Sequence, residues 1–158
     1  MRSRKCFLLL IGILISIPIY ASAQAPFAEE STVQTALRVA VFRYMFKHYD
    51  YGAHVKVICI STERPLPDEF VKRFSDNKLP VVWSSECSID ALSGVKENKT
   101  GRQGLLMAIQ RIHWTSGGEV ELDVEAYSDG LAANWNRLTV VNEDGQWVVK
   151  KDKLTGIS

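Results

Sequence analysis

The positions Val33, Ala36, Leu37, Ala40, Val41, Tyr44, Met45 and His48 recur at helical spacing, which predicts a long amphipathic helix. A second apolar set, Val39, Phe42 and Phe46, widens its sticky face, so the helix needs cover on more than one side. Ser31 with Gln34 three residues on supplies a capping box. Glu29 and Glu30 suit the positive end of the helix dipole, Arg43 and Lys47 the negative end, and Gly52 marks a stop.

Further along, Val55 to Ile60 is a β-branched run that predicts a short strand, ended by Pro65 and Pro67. A short helix from about Pro67 to Phe74 is expected to bury Phe70, Val71 and Phe74, followed by a short extended piece at Pro80 to Trp83. The polar stretch from Asp90 to Gly101 reads as a surface loop and holds the glycosylation triplet Asn98-Lys99-Thr100.

The last third carries the clearest pattern. Leu105 to Trp114, Glu119 to Tyr127, Leu131 to Asn142 and Gln146 to Lys151 are β-rich runs. Ser116-Gly117-Gly118, Asp129-Gly130 and Glu143-Asp144-Gly145 separate them, which predicts an antiparallel four-strand meander. In the second run Val120, Leu122, Val124 and Ala126 alternate with Glu119, Glu121, Asp123 and Glu125, so one sheet face is core and the other wet. In the first run a bulge near Gln110-Arg111 is needed if Leu105, Met107 and Ile109 are to share a face with Ile112 and Trp114. The resulting expectation is an α+β fold in which a long N-terminal helix packs on a curved antiparallel sheet ending in that meander.

The chain has 158 residues. It opens with Arg2, Arg4 and Lys5, an apolar run from Phe7 to Ile17, and Ala21-Ser22-Ala23, which predicts a cleavable secretory signal over residues 1–23. Cys6 stands ahead of the apolar run and not at the cleavage point, so no lipid anchor is expected. Residues 24–158 then form a single α+β domain in a periplasmic or secreted location, with no stable membrane anchor after leader cleavage.

Of 19 Lys and Arg, three lie in the leader, leaving 16 basic against 18 acidic groups, or −2. So balanced a chain has no clustered positive charge for nucleic acid or an anionic membrane surface, and neither is expected as a partner. The leader also removes Cys6 and leaves Cys59 and Cys87, an even pair that suggests a disulfide in an exported chain. Two reduced, buried cysteines acting as small apolar residues are the competing reading.

Gly130-Leu131-Ala132-Ala133, Leu138-Thr139-Val140-Val141, Asp144-Gly145-Gln146-Trp147-Val148-Val149 and Ile157-Ser158 resemble a family of small exported bacterial proteins of uncharacterised function. Cys59 with Cys87, Thr100-Gly101-Arg102 and Ile112-His113-Trp114 fit the same resemblance. The order of elements is similar to the cystatin-like and NTF2-like architecture. The resemblance implies a periplasmic or secreted location and an α+β fold, and it carries over no catalytic residue.

Chemistry is sparse. The chain has no nucleophile elbow, no His-Glu-x-x-His helix and no phosphate-cradling loop, and no cofactor or metal is expected. His48 and His113 are the candidate acid/base groups, and Tyr44, Tyr127 and Trp135 the candidate ligand-binding residues. His48, Asp50 and His54 are close enough in sequence to be weighed as a metal set, against capping and solubility roles. His113 is expected to contact an acid of the neighbouring strand, and Arg111 and Arg137 to pair across the acidic row. Two functions stay open. The first is a non-catalytic binding or structural module for an unknown protein or small apolar ligand. The second is an NTF2-like proton-transfer or hydration enzyme with a pocket between helix and sheet.

Overall fold

The computed structural model describes residues 31–49, 52–90, 92–129 and 133–158. The predicted leader, Glu29, Glu30, Asp50, Gly130 of the expected turn and the first two residues of the third run, Leu131 and Ala132, lie outside the described residues. Helix α1 spans Thr32–His48, β1 Val57–Ser61, α2 Glu69–Lys72, β2 Val81–Trp83, β3 Cys87–Asp90 and β4 Gly94–Glu97. Four long strands follow: β5 Gln103–Trp114, β6 Val120–Tyr127, β7 Ala133–Glu143 and β8 Gln146–Ile157.

The strand order is β2-β1-β5-β6-β7-β8, with the β3-β4 hairpin attached through β4 to the start of β5. Strands β5 to β8 are antiparallel neighbours, as the turn chemistry requires, and β5 shifts register between Ile109 and Arg111 where a bulge was expected. The expected architecture nevertheless needs correcting. Among the described residues 48% are strand and 20% helix, and α1 is the one helix of seven residues or more. The fold is α+β but dominated by its sheet. A long helix on an antiparallel sheet in the cystatin-like or NTF2-like manner does not describe it. The sheet is also mixed, because β1 is parallel to both β2 and β5. A parallel pair needs a long crossover, here the α2 segment between β1 and β2, and leaves no local turn signature to read.

Burial on both faces explains the Val-Ile-Cys-Ile run of β1, in which all four residues are fully buried. On one face Ile58 and Ile60 join Leu37, Val41, Phe42 and Met45 of α1 and Leu122, Val124, Leu138 and Val140 of the meander in one apolar cluster. On the other face Val57, Cys59 and Val95 form a second cluster with Leu106 and Tyr127 beside them. The Cys59–Cys87 disulfide ties this second cluster together, joining β1 to the start of β3.

The buried face of α1 differs from the expected stripe. Val33 is 54% exposed, and Ala36 and His48 are exposed too, whereas Phe42 and Phe46 are buried. Phenylalanine rings bury more apolar area than alanine. They meet Phe70 and Phe74, whose rings lie 5.9 Å (Phe42–Phe74) and 5.3 Å (Phe46–Phe74) away in edge-on contact. Ser31 caps the helix, its hydroxyl accepting from the Gln34 amide at 3.3 Å.

The segment from Asp90 to Gly101 is corrected from a loop to mostly the β3-β4 hairpin, with Cys87 opposite Glu97 and Ile89 opposite Val95. Four-residue strands are too short to show a period. Gly94, at φ 73°, makes the turn, and a side chain there would collide with the Ser128 carbonyl oxygen. The Asn98-Lys99-Thr100 triplet does lie on an exposed turn, between β4 and β5.

Candidate functional site

Two groups of polar side chains stand out, one on each face of the meander. On β6 every second residue is buried, so Val120, Leu122, Val124 and Ala126 face α1, and Glu121, Asp123 and Glu125 face outward. The β5 bulge absorbs Gln110 and turns Arg111 and His113 to that outer face. The register then sets Arg111 opposite Asp123, Asp123 opposite Arg137, and His113 opposite Glu121.

Arg111, His113, Glu121, Asp123 and Arg137 line an open concavity of about 190 Å³. Asp123 accepts from Arg137 Nε at 2.8 Å and lies 3.7 Å from Arg111 Nε. This hydrogen bond to Asp123 pushes the Arg137 pKa up, holding its charge in place. The expected pairing of both arginines across the acidic row is therefore present. His113 lies directly across from Glu121. Beside them, Gln110 donates to Glu125 at 2.7 Å.

The second group lies where the C-terminal end of α1 meets β7 and β8. Tyr44 donates to Asp152 Oδ2 at 3.1 Å, and Asn136 donates from Nδ2 to the other carboxylate oxygen. The His48 ring stacks on Tyr44 with centroids 4.4 Å apart. Tyr49 Oη and Asn136 Oδ1 are enclosed without a hydrogen-bond partner. Burial first, and the Asp152 charge second, raise the Tyr49 pKa far above the usual tyrosine value, and the same causes raise that of Tyr44.

Sequence reading missed Asp152 and Tyr49. It ended the last strand at Lys151, whereas β8 runs on to Ile157, and the shift between Thr139 and Val140 places Asp152 opposite Leu138, on the helix side. An alternating pattern read through a bulge assigns the wrong face.

The three ligand-binding candidates do not converge. Tyr44 belongs to the helix side. Tyr127 lies with the disulfide cluster on the opposite face, its hydroxyl donating to the Asp90 carbonyl at 3.5 Å. Trp135 is 37% exposed on the outer face and packs over Gly156, where an added Cβ would stand 3.2 Å from its ring. The two histidine candidates are likewise apart, His48 on α1 and His113 on β5. Among the described residues no three His, Cys, Asp or Glu side chains gather as a metal ion requires. The other tryptophans pack: Trp83 stacks on Phe70, and Trp114 meets Trp147 edge-on at 5.7 Å.

Compared with known proteins, the chain matches no protein-family model, no curated protein and no solved structure, so the resemblance to small exported bacterial proteins gains no support from relatives.

Proposed function

We propose that the chain is an exported, non-catalytic binding or structural module that recognises its partner on exposed surface of the sheet. The observation that carries this reading is where the charges sit. The inward positions of β6 are all apolar, and Val120, Leu122 and Val124 meet Leu37, Val41, Phe42 and Met45 of α1 in one buried apolar cluster. A proton-abstracting carboxylate needs an enclosed place in which its pKa rises, and the inward positions of β6 provide none. The titratable groups of β5 and β6 lie instead on the outer face, and the carboxylate on the helix side, Asp152 of β8, is exposed.

Export is supported by the Cys59–Cys87 disulfide, a bond that persists in oxidising compartments, and by the basic, apolar and small-residue pattern of residues 1–23. No helix among the described residues is long and apolar enough to cross a membrane. The test is intact-mass spectrometry of the full chain expressed with export to a bacterial periplasm. A product starting at Gln24 and lighter by about two daltons than its reduced form is expected, since the bridge removes two thiol hydrogens. Retention of residues 1–23, or free thiols, would sink the reading.

One observation favours a second reading, a proton-transfer or hydration enzyme. Tyr44, Asn136 and Asp152 converge beside two enclosed polar atoms that lack partners. That reading requires a ligand retained in the native mass spectrum of the wild type and lost in Asp152→Asn with unchanged melting.

A further inference from the structure

The charges around the outer concavity are arranged in two rows of opposite surplus. Arg111, Asp123 and Arg137 form one row across three strands, with two guanidinium groups and one carboxylate. Two residues along β6, the next row holds His113, Glu121 and Thr139, with one carboxylate and no fixed positive charge on these three strands. Arg137 and Arg111 are 48% and 74% exposed, and they meet Asp123 through Nε, which turns the terminal guanidinium N–H groups to solvent. Glu121 makes no direct hydrogen bond or ion pair to a described residue, and its charge reaches Arg137 only through space, behind the closer Asp123.

Neither a plain anion nor a plain cation satisfies this surface. An anion seated on the arginines also faces Glu121 and Asp123, and a cation seated on Glu121 faces two guanidinium groups. Each row offers what the other lacks. Two residues along a strand span about 6.7 Å, which sets the separation between the open guanidinium groups and the open carboxylate. On β8, Lys153 extends the arginine row beside Arg137, and Lys151 lies beside Thr139. Lys153 strengthens the positive row. Lys151 stands two strands from Glu121, about 10 Å by strand spacing, and is not among the residues that line the concavity.

We propose that this concavity binds a small zwitterion, an ω-amino acid or a short peptide, with its carboxylate on Arg111 and Arg137 and its ammonium on Glu121. This rests on the reading of the chain as a binding module and names its ligand class. Asp123 is the positioning group, its hydrogen bond aiming the Arg137 fork outward. The volume of about 190 Å³ is below that of drug-sized pockets, which limits the ligand to a few carbons between its charges.

The experiment titrates the processed, disulfide-bonded protein with 6-aminohexanoate, hexanoate, hexylamine and inorganic phosphate, following chemical shifts of the Arg and His113 side chains. Extended, 6-aminohexanoate separates its charges by about 7 Å. It is expected to bind roughly two- to five-fold more tightly than either singly charged analogue, the scale of one exposed charge pair. Glu121→Gln should reduce its affinity to that of hexanoate while leaving hexanoate unchanged or improved. Arg111→Gln should weaken hexanoate and spare hexylamine, and its 74% exposure makes it safe for folding. Equal binding of 6-aminohexanoate and hexanoate, preference for phosphate, or no saturable binding by any probe would each overturn the proposal. None of those results touches export or oxidation, whereas an unprocessed or reduced chain counts against the module reading whatever it binds.

Discussion

Arg38 of α1 is 3% exposed, and its guanidinium donates to both carboxylate oxygens of Glu63, with Nε 3.2 Å from Oε2. It also donates to the Gln34 carbonyl at 3.1 Å. A charge so enclosed is costly to desolvate, and the two-pronged contact with Glu63 offsets that cost. The pair fixes where α1 begins relative to the chain leaving β1. Glu63→Gln is expected to lower stability by about 2 kcal/mol, reduced from the full buried-pair value because the Glu63 side chain is 20% exposed. Adding Arg38→Met should recover part of that loss in urea unfolding. An unchanged midpoint in Glu63→Gln would show that the pair contributes nothing.

The disulfide closes a loop across 28 positions of sequence, over a cluster in which Val57, Cys59 and Val95 are all fully buried. Loop closure of this length stabilises by about 3.5 kcal/mol in the chain-entropy model. Cys87→Ser and Cys59→Ser should each lower the melting temperature clearly, Cys59→Ser more, because it also buries a hydroxyl. Reductant applied to the wild type should approach the Cys87→Ser result. If the wild type melts identically with and without reductant, the bridge carries no stability.

Glu97 is 7% exposed and accepts from Arg102 at 2.9 Å and 3.0 Å and from the Thr100 hydroxyl. The Arg102 hydrogen bonds, followed by that of Thr100, hold its pKa below the ordinary value of 4.5. The folded state therefore binds this proton less readily than the unfolded chain. The stabilisation is complete above the unfolded value and is lost as pH falls through the folded one. Glu97→Gln should be less stable than the wild type at pH 7, with the difference shrinking as the solution is acidified below 4.5. A difference independent of pH would refute this linkage.

Tyr49 encloses a hydroxyl that lies near the Asp152 carboxylate but outside hydrogen-bond geometry, while Tyr44 uses its own on Asp152. Removing an unsatisfied buried polar atom costs little or helps, whereas removing one half of a bond does not. Tyr49→Phe should be neutral or stabilising by about 1 kcal/mol, and Tyr44→Phe destabilising by a similar amount. Because the folded-state pKa of Tyr49 is raised, its stabilising share is full below the unfolded value of 10.0 and lost as pH rises above it. An alkaline absorbance titration should show one tyrosine that ionises only with unfolding. A Tyr49→Phe variant with the same titration curve as the wild type would contradict the assignment.

Much of the outer-face concavity was legible before any coordinates. Glu121, Asp123, Arg111 and Arg137 followed from the period-two pattern of β6 and from the bulge that parity demanded near Gln110. The helix-side cluster was only half legible. Tyr44 and His48 stood on a periodic helix and Asn136 shares the face of Leu138 by alternation, but Asp152 reaches the cluster through the register shift opposite Thr139 and Val140, which no local pattern announces.

The sequence by itself determined the elements whose signals are local. These are the capped helix α1, the antiparallel order of β5 to β8, the inward row Val120, Leu122, Val124 and Ala126, and the cysteines available to pair. Tertiary structure alone decided that β1 runs parallel between β2 and β5, that Val95 of the β3-β4 hairpin is buried with Val57 and Cys59, that Arg38 is enclosed with Glu63, and that Asp152 meets Tyr44. Alternation and turn chemistry act over a few residues, so they can be read along the chain. Parallel pairing, burial of a charge and the meeting of β8 with α1 are contacts across long sequence separations, decided only when the whole core assembles.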